Sequence, residues 1–279
     1  MIGMNALGKN GRLGNQLFQY AGLLGIAKNR GFDHCIPDHS KATTFEYNNR
    51  SHSHHLLHCF EMSYLNGRLG IIDGDEVELT QHHFCKELFD ECPDNVTLSG
   101  YFESFRYFQN AEKELRQDLT FKEHIRSHAE KFHKENGLDN PVSICIRRGD
   151  FALYQDCHPM CDELYYKKGI DTLGNDRQYV IVSDDVEWCK NQEIFSGNNF
   201  YFVDQVPDGI HKSYNDMCIS SMCSDFIISN STFAWWISWL GINPDKKVCI
   251  PVPWFGTKLK DLDTEGYYTE NTIKIERKI

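Results

Sequence analysis

The sequence predicts an α/β protein whose second half carries a parallel sheet covered on both faces. Two observations after Pro141 lead there. Four short apolar runs, Val142–Ile146, Tyr179–Val182, Asp225–Ile228 and Val248–Ile250, are continuous and not alternating, as in strands buried on both sides. Helix-compatible segments separate them at Asp162–Thr172, Val186–Glu193, Tyr214–Met222 and Thr232–Leu240. A third observation concerns the first half, which is less regular but opens with a glycine-rich turn leading into a helix.

That first helix is expected from about Gln16 to Arg30, with Leu17, Tyr20, Ala21, Leu24 and Lys28 along one side and Gly31 as its stop. From about Asn110 to Glu135 the chain is charged and helix-prone, with Leu115, Leu119 and Phe132 as sparse anchors. Gly137-Leu138-Asp139-Asn140-Pro141 then breaks the pattern and reads as a linker, dividing the chain into 1–136 and 137–279.

Composition narrows the function. With 29 Lys plus Arg against 40 Asp plus Glu, the formal net charge of −11 makes the 279-residue chain a poor partner for nucleic acid or an anionic membrane, while leaving room for a local basic pocket. No run of about 18 apolar residues is present, so no membrane-spanning helix is expected. The N-terminus lacks a basic head before an apolar stretch, so a secretory signal is not expected either. Eleven scattered cysteines then read as mostly reduced thiols of an intracellular protein, cytoplasmic or peripheral at the inner membrane face.

In an open parallel sheet, ligands bind beyond the carboxyl ends of the strands. Three segments are candidates for such a place. Cys145-Ile146-Arg147-Arg148-Gly149-Asp150-Phe151 puts two guanidinium groups, a turn-forming glycine and a carboxylate directly after a strand, which suits a phosphate or carboxylate. An Arg–Asp ion pair closing the loop is the simpler alternative. Ser229-Asn230-Ser231-Thr232-Phe233-Ala234-Trp235-Trp236 starts a helix whose free N–H groups and dipole favour an anion; a plain capped helix with Trp235, Trp236 and Trp239 in the core is the alternative. Gly11-Arg12-Leu13-Gly14-Asn15-Gln16 allows close approach of backbone to a ligand, or is an ordinary glycine turn. Ser183-Asp184-Asp185 closes the next strand, where N-cap duty is the alternative. Together these segments describe a diphosphate cradle that supplies positive charge from the protein instead of from a metal ion.

Four of these segments, GRLGNQLFQYA (Gly11–Ala21), IRRGDF (Ile146–Phe151), Ser183-Asp184-Asp185 and SNSTFAWW (Ser229–Trp236), resemble in order and spacing the α-1,2-fucosyltransferases of glycosyltransferase family 11. The resemblance covers about residues 11–255. It implies a GT-B-like arrangement, two Rossmann-like halves facing a cleft, with 1–136 on the acceptor side and 137–279 binding GDP-fucose. The implied reaction is an inverting, metal-independent transfer of L-fucose from GDP-β-L-fucose to the 2-hydroxyl of a terminal β-galactoside, with no cofactor beyond the sugar nucleotide.

Carried over by residue, Arg147 matches the arginine on the donor's β-phosphate, with Arg148 beside it. Ser231 and Thr232 match the helix tip on the diphosphate, and Asn230 before them is a further expected donor-binding residue. Asp225 matches an acidic reader of guanine, and Asp184 and Asp185 match an acidic pair of the donor half. Gly11, Gly14, Asn15 and Gln16 match a loop that faces fucose and phosphate. The chain departs from the pattern at Cys145, where the family has the His that helps hold guanine, and at Phe151, where Tyr is commoner. Asp150, after the turn at Gly149, is the expected base for the attacking hydroxyl, with Asp156 second.

Two other functions compete. Zinc could be held by His52, His54, His55, His58 and Cys59, or by Cys157, His158 and Cys161, although no pair of CxxC motifs is present. A nucleotide-sugar-binding protein without transferase activity would show lesions in the cradle, and Cys145 is the one candidate. Acceptor contacts are expected in Asp38–Phe108, where the aromatic run Tyr101–Phe108 serves equally as a sugar platform or as core.

Overall fold

The computed structural model describes the chain apart from residues 10, 42–44, 48–49, 53–54 and 279, and describes 45–47 and 50–52 by backbone only. The chain divides into two compact units, Met1–Lys122 with Asp263–Tyr267, and Glu123–Leu262 with Tyr268–Ile279.

The first unit begins with β1 (Ile2–Gly3), whose loop enters α1 (Leu13–Arg30). Gly31 ends this helix in the left-handed conformation at φ 68°, and its N–H reaches the carbonyls of Ala27 and Lys28. Lys28 and Arg30 in the last turn complement the helix dipole. Nearly every residue from Leu13 to Ala27 is buried, so α1 is a central helix and not an amphipathic surface one. Its glycines allow close packing: a Cβ at Gly25 would lie 1.7 Å from the Tyr107 carbonyl oxygen, and one at Gly22 would lie 2.7 Å from Phe102.

β2 (His34–Cys35), the antiparallel pair β3 (Phe45–Tyr47) and β4 (Arg50–His52), α2 (Leu56–Cys59), β5 (Asp75–Glu78), α3 (Lys86–Glu91), β6 (Val96–Ser99) and α4 (Glu112–Asp118) follow. The sheet runs β2-β1-β6-β5 with every pairing parallel. β1 therefore leads on to β2 on one side and pairs with β6 on the other, a topological switch point of the kind beyond whose carboxyl edge open parallel sheets bind ligands. Pattern reading found none of these strands. β1 and β2 are two residues each, and β5 is the exposed acidic run Asp-Glu-Val-Glu.

The second unit opens with α5 (Glu123–Glu135). The domain boundary expected at 136/137 is thus corrected to 122/123. The reason is packing: α5 lies on a helix of the second unit, and the His133 ring is 2.8 Å from the Ile219 carbonyl oxygen. Next come β7 (Val142–Ile146), α6 (Glu163–Leu173), β8 (Tyr179–Ser183), α7 (Val186–Lys190), β9 (Phe200–Phe202), α8 (Lys212–Ser221), β10 (Asp225–Ile228), α9 (Thr232–Leu240), β11 (Val248–Val252) and β12 (Thr272–Glu276). The order is β12-β11-β10-β7-β8-β9, all parallel. β7 and β8 are buried along their whole length, as continuous apolar strands require. Ile144, Ile146, Tyr165, Tyr166, Ile181 and Ile227 build the core on one side. The two strands absent from the sequence reading, β9 and β12, are the edges, and β12 alternates polar and apolar residues as Thr-Ile-Lys-Ile-Glu.

No disulfide joins any of the eleven cysteines, and most are buried. Among the described residues no helix is long and apolar enough to cross a membrane.

Candidate active site

β7 leads on to β8 on one side and pairs with β10 on the other, so the second unit also has a switch point. Three of the sequence motifs meet there: Arg147 and Arg148 directly follow β7, Asp184 and Asp185 follow β8, and Ser231 and Thr232 follow β10.

Arg147 is clasped by two carboxylates. Its Nη1 lies 2.7 Å from Asp184 Oδ2, and its Nη2 donates to Asp150 Oδ1. Its guanidinium carbon stands 5.4 Å from the Phe151 ring centre, and that ring stacks on His158 at 5.1 Å. Phe151 therefore supplies a flat wall for the guanidinium. Arg148 turns elsewhere: Nε is 3.2 Å from Asp185 Oδ2 and the guanidinium lies 3.8 Å from the Trp188 ring centre. The ion-pair alternative for this loop is therefore present in the structure, and the pairs hold both arginines in place. Asp184 Oδ1 also accepts the Arg148 N–H at 2.9 Å, so this carboxylate anchors the loop twice. Asp185 takes up the expected N-cap duty as well, accepting the Trp188 N–H at 3.2 Å.

Ser231 is the N-cap of α9, and its side chain makes no capping hydrogen bond. The first turn of α9, beginning at Thr232, carries no acidic residue, which leaves the dipole's positive end without an internal counter-charge. Trp235 and Trp236 are buried, as the plain-helix reading holds. The two readings of this segment are compatible.

Two expected donor contacts are corrected. Asp225 is the first residue of β10, at the end opposite the switch-point crevice. Its carboxylate accepts the Lys247 N–H at 2.7 Å and pairs with Arg177 at 3.1 Å, so it holds the amino edge of the sheet. Asn230 points inward. Its Nδ2 donates to the Trp254 carbonyl at 2.9 Å, and its Oδ1 lies 3.4 Å from Nη1 of the buried Arg277.

Cys145 is buried at the end of β7 with its sulfur 3.4 Å from Ser143 Oγ, and burial pushes the thiol up to about 12. It is a neutral, weakly polar neighbour there. A group missed in the sequence lies close to it: Asp216 on α8, whose charge is felt at Cys145 and which in turn feels Asp184. Burial pushes the Asp216 carboxyl up to about 6, against the pull of Lys212, whose ammonium is 2.6 Å from Oδ2. Asp216 Oδ1 is buried without a hydrogen-bond partner among the described residues. An unsatisfied buried acceptor is costly and suits a donor that arrives with a ligand. The available signal was a Lys-x-x-x-Asp pair inside an otherwise buried helix.

In the first unit Gly11 has φ 92°, and a Cβ there would lie 2.6 Å from the Asn15 Cβ. Gly14 and Gln16 are buried in the first turns of α1, and Gln16 Nε2 reaches back to the Gly11 carbonyl at 3.4 Å. Asn15 Nδ2 donates to Glu103 Oε1 at 3.0 Å. Asp156, the second candidate base, is exposed and pairs with Lys258 at 2.7 Å, an interaction that lowers its carboxyl pKa and makes it a poorer proton acceptor.

The zinc reading gains no support. His54 and the His52 side chain lie outside the described residues. His158 is engaged in ring stacking, and Cys161 is a buried thiol beside Asn230 and Arg277 whose pKa is raised to about 11. Among the described residues no group of three or more His, Cys, Asp or Glu is placed to hold a metal ion.

A family model described as "Glycosyl transferase family 11" matches residues 1–260. The chain belongs to this family. It is 30% identical over 204 residues to an alpha-1,2-colitosyltransferase of Escherichia coli, covering 70% of this chain and 67% of that protein. It is 34% identical over 122 residues to the O-antigen biosynthesis glycosyltransferase WbnK of the same species, covering 42% and 39%. It is 24% identical over 253 residues to the galactoside 2-alpha-L-fucosyltransferase SEC1 of Bos taurus, covering 85% and 64%. The match thus spans less than two thirds of the latter two relatives. Among solved structures, the NodZ alpha-1,6-fucosyltransferase co-crystallized with GDP superposes with a TM-score of 0.54 at 13% identity, covering 86% of this chain and 92% of that one. POFUT1 in complex with GDP-fucose gives 0.57 at 13%, covering 89% and 97%. The fold is accordingly GT-B-like, and the family 11 glycosyltransferase builds each half on a parallel sheet with helices.

Proposed function

We propose that this family 11 member transfers L-fucose from GDP-β-L-fucose to the 2-hydroxyl of a terminal β-galactoside, with inversion at the anomeric carbon and without a metal ion. The observation that carries the reading is the position of Arg147, directly after β7 at the switch point of the second sheet, where α9 also begins.

As the bond between the anomeric carbon and the diphosphate lengthens, the sugar takes on oxocarbenium character and negative charge grows on the departing phosphate. Arg147 can present planar N–H donors to that charge, and the Ser231–Thr232 helix tip adds backbone N–H groups. Asp150 and Asp184 hold the guanidinium in place, so Asp150 serves here to orient Arg147. Metal independence rests on this donor set, because Asp184 and Asp185 are each committed to a different arginine. For the base, Asp216 replaces Asp225: its unpartnered buried oxygen suits the N–H edge of guanine. The sequence relatives named as colitosyl and galactoside fucosyl transferases support an α-1,2 linkage and leave a colitosyl donor as a second reading.

The deciding experiment offers GDP-fucose and a colitosyl donor in competition, with a panel of galactosides and EDTA present. The expected result is a fucosylated product whose NMR spectrum shows an α-1,2 linkage. Exclusive use of the colitosyl donor, or loss of turnover restored by a divalent ion, would refute the corresponding part.

A further inference from the structure

We infer that Arg277 is a positioning residue of the donor crevice: its buried guanidinium sets the aim of the Ser231–Thr232 helix tip by holding Asn230, the residue before that tip. The inference rests on the transferase reading above, and every residue it uses belongs to the second unit.

Arg277 is the first residue after β12, an edge strand of the second sheet. Its N–H bonds the Val252 carbonyl at 3.0 Å and so continues the pairing of β12 with β11. The side chain then reaches three loops that leave the carboxyl ends of other strands. After β11, Nε donates to the Pro253 carbonyl at 3.1 Å and Nη2 to the Trp254 carbonyl at 3.1 Å. Between β7 and α6, Nη1 donates to the Pro159 carbonyl at 2.6 Å and lies 3.4 Å from Cys161 Sγ. Between β10 and α9, the same Nη1 lies 3.4 Å from Asn230 Oδ1. Asn230 closes the circuit, because its Nδ2 donates to the Trp254 carbonyl at 2.9 Å.

Arg277 is 8% exposed and Asn230 2%. All the partners of the guanidinium are neutral: three carbonyls, an amide oxygen and a thiol. Among the described residues no carboxylate pairs with it. Burying a cation in this way is costly, and an apolar side chain would fill the space at lower cost if packing were the whole requirement. What a guanidinium alone supplies is a rigid plane of five N–H donors, which can tie several loops together in fixed relative places.

The loop tied through Asn230 is the one that ends at the helix tip. Ser231, the N-cap of α9, makes no capping hydrogen bond with its own side chain. The turn before it is fixed on one side by the Ser229 N–H, which bonds the Cys145 carbonyl at the end of β7 at 3.0 Å. On the other side it is fixed by the Asn230 side chain, held between Arg277 and the Trp254 carbonyl. Movement of Asn230 therefore carries the first N–H groups of α9 with it. In the proposed reaction those groups meet the departing phosphate, where misplacement by about 1 Å costs about 10²-fold in rate. Arg277 acts through Asn230 and not on the substrate.

The test compares Arg277→Lys, Asn230→Ala and the double variant with the parent. GDP release from GDP-fucose in the presence of lactose gives kcat, calorimetry gives the affinities for GDP and GMP, and thermal melts check folding. Lys keeps the positive charge and lacks the planar fork, so each single variant should lose about 10²-fold in kcat. Each should also narrow the preference for GDP over GMP, since the tip serves the diphosphate. The double variant should be no slower than the slower single one, because both substitutions break the same tie. Losses in kcat that add, or an Arg277→Lys variant with kcat within about threefold of the parent, would overturn the assignment. A merely structural role would lower the melting temperature and leave the preference for GDP over GMP intact, which would overturn it as well. Should Arg277→Lys fail to fold, Asn230→Ala decides: a narrowed preference supports the proposal and an unchanged one ends it. A parent protein that neither binds GDP nor releases it from GDP-fucose refutes the transferase reading and this assignment together, whereas a GDP-binding parent with unaffected variants refutes the assignment alone.

Discussion

Gly149 and Asp184 are packed so tightly that a Cβ on Gly149 would lie 2.4 Å from Asp184 Oδ2. The same carboxylate holds Arg147 at 2.7 Å and the Arg148 N–H at 2.9 Å. The glycine of the Arg-Arg-Gly-Asp segment is thus required by the room its neighbour needs.

Gly149→Ala should damage turnover more than stability. The carboxylate end of Asp184 can swing away, and the fold survives, but Arg147 loses one of its two clasps. Misplacement on this scale costs about 10²-fold in kcat/KM. The check is steady-state kinetics beside a thermal melt; a variant with normal kinetics would mean that Asp184 does not orient Arg147.

Arg147→Lys should be nearly as harmful as Arg147→Ala, at about 10²–10³ in kcat. One ammonium cannot bridge two carboxylates and still present a fork to phosphate. Arg148→Lys should be milder, since Arg148 pairs with Asp185 and stacks over Trp188. Comparison of kcat for the three folded variants decides it, and the reverse order would move the phosphate contact to Arg148.

Asp216→Ala should weaken GDP binding and leave ADP binding unaltered, so the preference between them shrinks. A hydrogen bond to a charged group contributes about 1.5–3 kcal/mol, roughly 10- to 100-fold in Kd. Calorimetric titration with both nucleotides measures this directly. Equal losses for GDP and ADP would place Asp216 away from the base.

The pH dependence of stability should change in Glu103→Gln. In the folded chain burial raises this carboxyl from 4.5 to about 7, so the folded state holds its proton more tightly than the unfolded chain does. Its contribution to stability is therefore full below about pH 4.5 and is lost as pH rises through about 7. The variant, which cannot ionise, should lose less stability than the parent between these pH values. Parallel melting curves across that window would contradict the burial argument.

The second half of the fold was legible because its strands are long, apolar and bounded by helices of ordinary length. Val142–Ile146 and Thr232–Leu240 fall where the pattern puts them. The first half was not, because a strand of two residues has no pattern and Asp75–Glu78 is charged. The Arg147 and Ser231–Thr232 segments were readable from position, as residues that follow strands. Asp225 could have been excluded by the same rule, since it begins its strand. The hydrogen bond between Glu103 and Tyr267 joins residues 164 positions apart, so only the tertiary structure shows the pair.

The segment Asp263–Tyr267 belongs to the first unit although residues on both sides of it belong to the second. The chain therefore passes from one unit to the other three times, after Lys122, after Leu262 and after Tyr267. A chimera made by a single exchange at 122/123 would combine Glu103 from one parent with Tyr267 from the other. Transplanting the first unit between family members by recombination thus calls for two grafts, the first 122 residues and this five-residue return, taken from the same parent.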